Sequence, residues 1–139
     1  LQWTRDRDPM HLRAAYFEYA TPDRARAQLA AYREHIRHIR GQWQHQIDEV
    51  EAGTSETLNR RLQSVPASQH RRATAFKRFT YEGLVARADA EIAWADRGLA
   101  LLDELDAEDA LDARDAEPSA EPGDPSGAEL SRGQAAASS

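Results

Sequence analysis

PDRARAQLAAYREHIRHIRGQWQHQIDEVEA, residues 22–52, is the stretch that decides the fold. It holds no proline after Pro22 and no glycine except Gly41, so nothing in it stops a helix. One helix of this length spans about 46 Å at about 1.5 Å per residue. Leu29, Ile36, Trp43 and Val50 recur at heptad spacing, and Tyr32 and Ile39 fill the second apolar heptad position. This is the seam of a coiled coil. Gln46 takes the next place in the second set with Ile47 beside it, so the seam widens or rotates near its end. A helix of about 3.6 residues per turn drifts in this way against a 3.5-residue repeat. An apolar stripe this long needs a partner of equal length.

The pattern supplies one. A last helix is expected from about Ser68 to Leu105, with Val85, Ile92 and Leu99 on one heptad position and Tyr81, Ala88, Ala95 and Leu102 on the other. Between the two long helices, Gly53 suits a left-handed helix end, and Thr54 or Ser55 can cap a short piece carrying Leu58 and Leu62 that stops at Pro66. A connection of about 15 residues reverses the chain, so the long helices run antiparallel. Ala88, Ala95 and Gly98 are small where the bulky Tyr32 and Trp43 must approach. Upstream, Asp8-Pro9 reads as a helix start, and Leu12, Ala15, Tyr16 and Tyr19 form the apolar line of a short first helix. That helix stops before Thr21-Pro22, where Thr21 caps the long helix and Asp23 sits in its positive first turn. Phe76, Phe79, Leu84, Trp94 and Leu101 do not fit a single stripe, so one partner helix cannot cover the last helix, and a second copy related by two-fold symmetry is expected.

Composition agrees with an all-α chain. Of 139 residues, 40% are apolar and 30% charged, with seven Gly and six Pro, which favours helix over sheet. The net charge of −6 is unevenly placed. Residues 1–105 carry 16 basic and 15 acidic groups, whereas residues 106–139 carry 2 and 9. Pro, Gly, Ser, Ala and acidic residues dominate from Asp106 onward, so residues 106–139 read as an acidic tail, disordered from about residue 112. There is no cysteine, which excludes disulfides and thiolate chemistry and fits a cytoplasmic location. No apolar run of membrane-spanning length and no signal-peptide pattern occurs. Leu1–Trp3 read as the end of a preceding element, which makes residues 1–8 the end of a linker and residues 9–105 the helical domain.

The chemistry-bearing residues do not assemble into a catalytic pattern. His35, His38 and His45 lie on the long helix without a His-Glu-x-x-His arrangement, and they read as solvated, not as metal ligands. Asp103-Glu104 read as ordinary helix-end charges. Arg71-Arg72 and Lys77-Arg78 read as a solvated basic face balanced by Glu82 and Asp89. No enzyme activity, cofactor or metal is expected.

The run Asp8-Pro9-Met10-His11-Leu12-Arg13 with Tyr16-Phe17 precedes the long helix and the break. The last helix then carries Phe76-Lys77-Arg78-Phe79, Tyr81-Glu82 and Glu91-Ile92-Ala93-Trp94 before a Leu-rich end. In this order the elements resemble the C-terminal domain of PadR-type transcriptional regulators, most closely the longer virulence-activator branch, over about residues 1–105. The resemblance implies a homodimerisation domain whose DNA binding is supplied by an N-terminal winged helix that is missing from this sequence. It also implies that Phe76, Phe79, Tyr81 and Trp94 could line a pocket for a planar aromatic effector, since some members bind such ligands between helices; the alternative for these residues is core or dimer packing. The near-neutral body lacks the clustered basic footprint of a stand-alone DNA binder. The other functional reading is a helical scaffold or adaptor that pairs with a different protein. No membrane association is expected.

Overall fold

The computed structural model describes residues 9–117. Helix α1 (Pro9–Ala14) leads through a 3-10 turn (Phe17–Tyr19) into α2 (Pro22–Ala52); α3 (Glu56–Gln63) and a second 3-10 turn (Ala67–Gln69) lead into α4 (His70–Ala116). Among the described residues there is no strand, and the fold is all-α. The linker reading of Leu1–Trp3, the Asp8 cap and the tail from Pro118 onward lie outside the described residues.

Local chemistry sets the ends of α2. Thr21 is extended and its Oγ1 accepts a hydrogen bond from Arg24 N at 3.3 Å, with Pro22 at the first helical position. At the other end Gly53 adopts φ 71°, and Thr54 N and Gly53 N donate back to Glu49 O and Val50 O, the paired bonds of a Schellman stop. Ser55, which is buried, then caps α3 by accepting from Leu58 N at 3.4 Å. Leu58 is buried beneath α3, and Asn59 Nδ2 donates to Gly53 O at 2.9 Å to close the turn. These bonds reverse the chain, so α2 and α4 pack antiparallel along most of α2.

The core is narrower than the heptads imply. Ala25, Leu29, Ile47 and Val50 of α2 are buried, as are Ala88 and Ala95 of α4. Of the expected seam, Leu29, Val50, Ala88 and Ala95 are buried; Tyr32, Ile36, Ile39, Trp43, Tyr81, Val85, Ile92, Leu99 and Leu102 are half-buried. Two helices in contact enclose only the line between them, so each seam side chain keeps a flank open. The predicted shift toward Ile47 near the end of α2 is observed. At Gly98 the helices approach closely, since a Cβ there would lie 2.9 Å from Leu29 Cδ1.

Two expectations are corrected. Helix α1 ends at Ala14, and its inward side carries Met10, Ala14 and Phe17, while Leu12, Tyr16 and Tyr19 are exposed. Both sets have helical spacing, and the packing of His11 against Trp94 at 4.2 Å between ring centroids selects the other face. Helix α4 does not end at Leu105 but continues to Ala116, so the acidic segment is helical up to that point. Ala107, Ala110, Ala113 and Ala116 recur along it with no proline before Pro118, and high helix propensity sustains an exposed helix there without burial.

Candidate dimerisation face and aromatic groove

One edge of the α2/α4 pair is a ladder of ion pairs. Arg26, Arg33 and Arg40 repeat at heptad spacing on α2, and Asp103, Asp96 and Asp89 repeat at the same spacing, in reverse order, on α4. Arg26 Nη2 donates to Asp103 Oδ1 at 2.9 Å and to Asp106 Oδ2 at 2.8 Å, Arg33 Nη1 donates to Asp96 Oδ1 at 2.8 Å, and Arg40 Nε donates to Asp89 Oδ1. Toward the turn the polarity inverts, with Arg78 of α4 reaching Glu51 of α2 at 2.8 Å and Glu82 at 2.7 Å. Hydrogen bonds donated to Asp106 and Asp103 raise the Arg26 guanidinium above its ordinary range, and the bond to Asp89 does the same for Arg40. Each pair is partly solvated and individually weak. Their shared spacing fixes the register, because a slide by one residue breaks all of them together.

The ladder corrects two readings of isolated charges. Asp103 is not an idle helix-end carboxylate, and Asp89 is engaged by Arg40, so it does not balance the basic start of α4. The ladder was visible in the sequence as two sign-matched heptad rows. It is overlooked when each helix's charges are weighed only against its own neighbours.

The candidate ligand-lining aromatics do not converge. Phe76 and Phe79 point outward, 60% and 71% exposed. Tyr81 stacks on Trp43 of α2 with ring centroids 5.8 Å apart, and Lys77 Nζ lies 5.2 Å from the Tyr81 ring. Trp94 stands apart from this pair, touching His11 of α1 and meeting Tyr32 of α2 edge-on at 6.1 Å. Tyr32 Oη donates to Glu91 Oε2 at 2.8 Å, and His11 Nε2 lies 3.3 Å from the same carboxylate oxygen. A single cluster therefore ties α1, α2 and α4 together at Trp94. Residues spaced as widely as Tyr81 and Trp94 on one helix are about 20 Å apart and cannot share a small ligand.

Beside Trp94 runs an open groove of about 630 Å³, walled by Phe17, Leu29, Gly98, Leu101, Leu102 and Leu105. A second depression of about 400 Å³ lies along the half-buried seam, between Tyr32, Ile36, Ile39 and Trp43 of α2 and Leu84 and Ala88 of α4. His38 and His45 are on the exposed side of α2. An acidic neighbour does follow His45 one turn on, Glu49 at 3.1 Å, but among the described residues no group of three or more His, Asp and Glu side chains is placed to hold a metal ion. Nor is any described helix long and apolar enough to cross a membrane. No protein-family model matches the chain, and no curated protein matches it significantly in sequence.

Proposed function

We propose that this chain is the homodimerisation element of a PadR-like transcriptional regulator, non-enzymatic, with DNA contacted by a winged helix outside the helices described here. The observation that carries the dimer is the uncovered apolar surface of α4, where Phe76, Phe79, Leu101 and Leu105 are all exposed, while the seam against α2 is itself only half closed. The order of the elements supports the family reading: a short helix, a 31-residue helix, a capped break and a longer last helix. A planar aromatic effector, if the regulator takes one, belongs in the groove beside Trp94, whose apolar walls and volume suit a small molecule.

Light scattering tests the dimer directly. A mass of about 31 kDa, twice the 15.6 kDa of one chain, is expected at micromolar concentration; a monodisperse monomer with a cooperative melt refutes it. The gene upstream of the Leu1 codon tests the regulator reading. A winged-helix sequence in frame supports it, and its absence leaves a dimeric helical scaffold.

A further inference from the structure

Helix α4 carries a second stripe on the side away from α2. At about 100° per residue, Phe76, Phe79, Gly83, Ala86, Ala90 and Leu101 fall on one side, while Ala88, Ala95 and Leu99 face α2 on the other. All six outward residues are exposed. The stripe is large at its two ends and small in its middle, and positions on either side of Ala90 can be paired. Phe79 and Leu101 lie equally far on either side of it, as do Ala86 and Trp94, and Gly83 and Arg97. Space at Gly83 is open, with nothing within 4 Å of a Cβ built there.

Charge follows the same pairing. Arg72, whose guanidinium carbon lies 5.7 Å from the Phe76 ring, and Glu108 are equidistant from Ala90 on the same side of the helix, as are Arg71 and Asp109 in order along it. One end of the stripe is therefore basic and the other acidic. A closed two-fold contact requires that if one residue meets a second, the second meets the first. A helix whose apolar ends match, whose small residues face larger ones and whose end charges are opposite satisfies this when it meets its own copy head to tail.

We infer that α4 pairs antiparallel with α4 of a second copy of this chain, with the two-fold axis beside Ala90, Phe79 packed on the other copy's Leu101, and Arg72 opposite its Glu108. This deepens the dimer reading by naming the surface. Small Ala86 and Ala90 let the helices approach closely at the axis, and Gly83 leaves room for the Arg97 stem. The extension of α4 past the start of α2 acquires a role, because Glu108 and Asp109 lie beyond the last ladder residue, Asp106, and are free to meet the basic start of the other copy's α4.

The chain has no cysteine, so single-cysteine variants read the geometry directly. Under mild oxidation Ala90→Cys should cross-link to near completion, since only a residue at the axis meets its own copy. Phe79→Cys and Leu101→Cys should each cross-link poorly alone and well when mixed, while His38→Cys, exposed on α2, reports random collision. Arg72→Glu should weaken dimerisation on the order of tenfold, and Glu108→Arg in the same chain should restore it. A dimer by light scattering in which Ala90→Cys cross-links no faster than His38→Cys overturns the α4 pairing and leaves the dimer standing. A monomer at about 100 μM overturns both.

Discussion

Adding one methyl group at Gly98 probes the close approach of α4 to Leu29 of α2. The new Cβ would lie 2.9 Å from Leu29 Cδ1 and 3.6 Å from Cδ2, against an optimal carbon–carbon separation of about 3.5–4.0 Å. Two effects oppose one another. Alanine in a helix interior is more stable than glycine by about 0.5–1 kcal/mol, and overpacking a filled site costs about 1–3 kcal/mol. Leu29 is only 2% exposed but borders the groove beside Trp94, so its side chain can yield partly, and a cost of about 1.5 kcal/mol, in the lower half of that range, applies. Gly98→Ala should therefore destabilise by about 0.5–1 kcal/mol. Gly41→Ala, at a helical position with nothing within 4 Å, should instead stabilise by about as much. Leu29→Ala alone should cost about 2–4 kcal/mol. In that background the obstruction is gone, and Gly98→Ala should become stabilising. Urea unfolding followed by far-UV circular dichroism at one protein concentration gives the four free energies and a coupling of at least about 1 kcal/mol. An equal effect of Gly98→Ala in both backgrounds refutes the close contact.

The ladder predicts a salt-sensitive stability: Arg33→Gln should cost about 0.5–1 kcal/mol in low salt, and calorimetry should show that cost shrinking toward zero near 1 M salt. Arg26 is raised by its carboxylate partners, so with those carboxylates ionised its contribution is complete from neutral pH up to the ordinary arginine value and is lost as pH climbs through the raised one. The melting-temperature gap between the parent and Arg26→Gln should accordingly stay constant from about pH 7 to pH 10, and a gap that closes in that window contradicts the assignment. Trp94→Ala should cost about 2–3 kcal/mol, below the full core value because the ring is half-buried. With Trp3 and Trp43 replaced by Phe, a planar aromatic compound should leave Trp94 fluorescence unchanged if the ring only packs; saturable quenching at micromolar concentration would establish the groove as an effector site.

The sequence was most legible where structure is set by neighbouring residues. Both ends of α2 follow from Thr21-Pro22 and Gly53, whose hydrogen bonds are complete within a turn of chain. The α1 phase was not decidable locally, because Met10-Ala14-Phe17 and Leu12-Tyr16-Tyr19 satisfy the same periodicity and Trp94, distant in sequence, chooses between them. The end of α4 was misplaced because burial was required of a segment that alanine propensity alone keeps helical. The aromatic set failed for a geometric reason: Tyr81 and Trp94 are separated by several turns of one helix, and each finds its partner on α2, in Trp43 and Tyr32.

The two rows of the ladder also sort partners. From Arg26 to Arg40 one edge of α2 presents arginines and the facing edge of α4 presents aspartates, so bringing α2 against another α2, or α4 against another α4, along that edge would set like charges side by side. Only the unlike pairing is tolerated there. A growing chain is thereby steered to fold α4 back onto α2, and the side of α4 around Ala90 carries none of the ladder's aspartates.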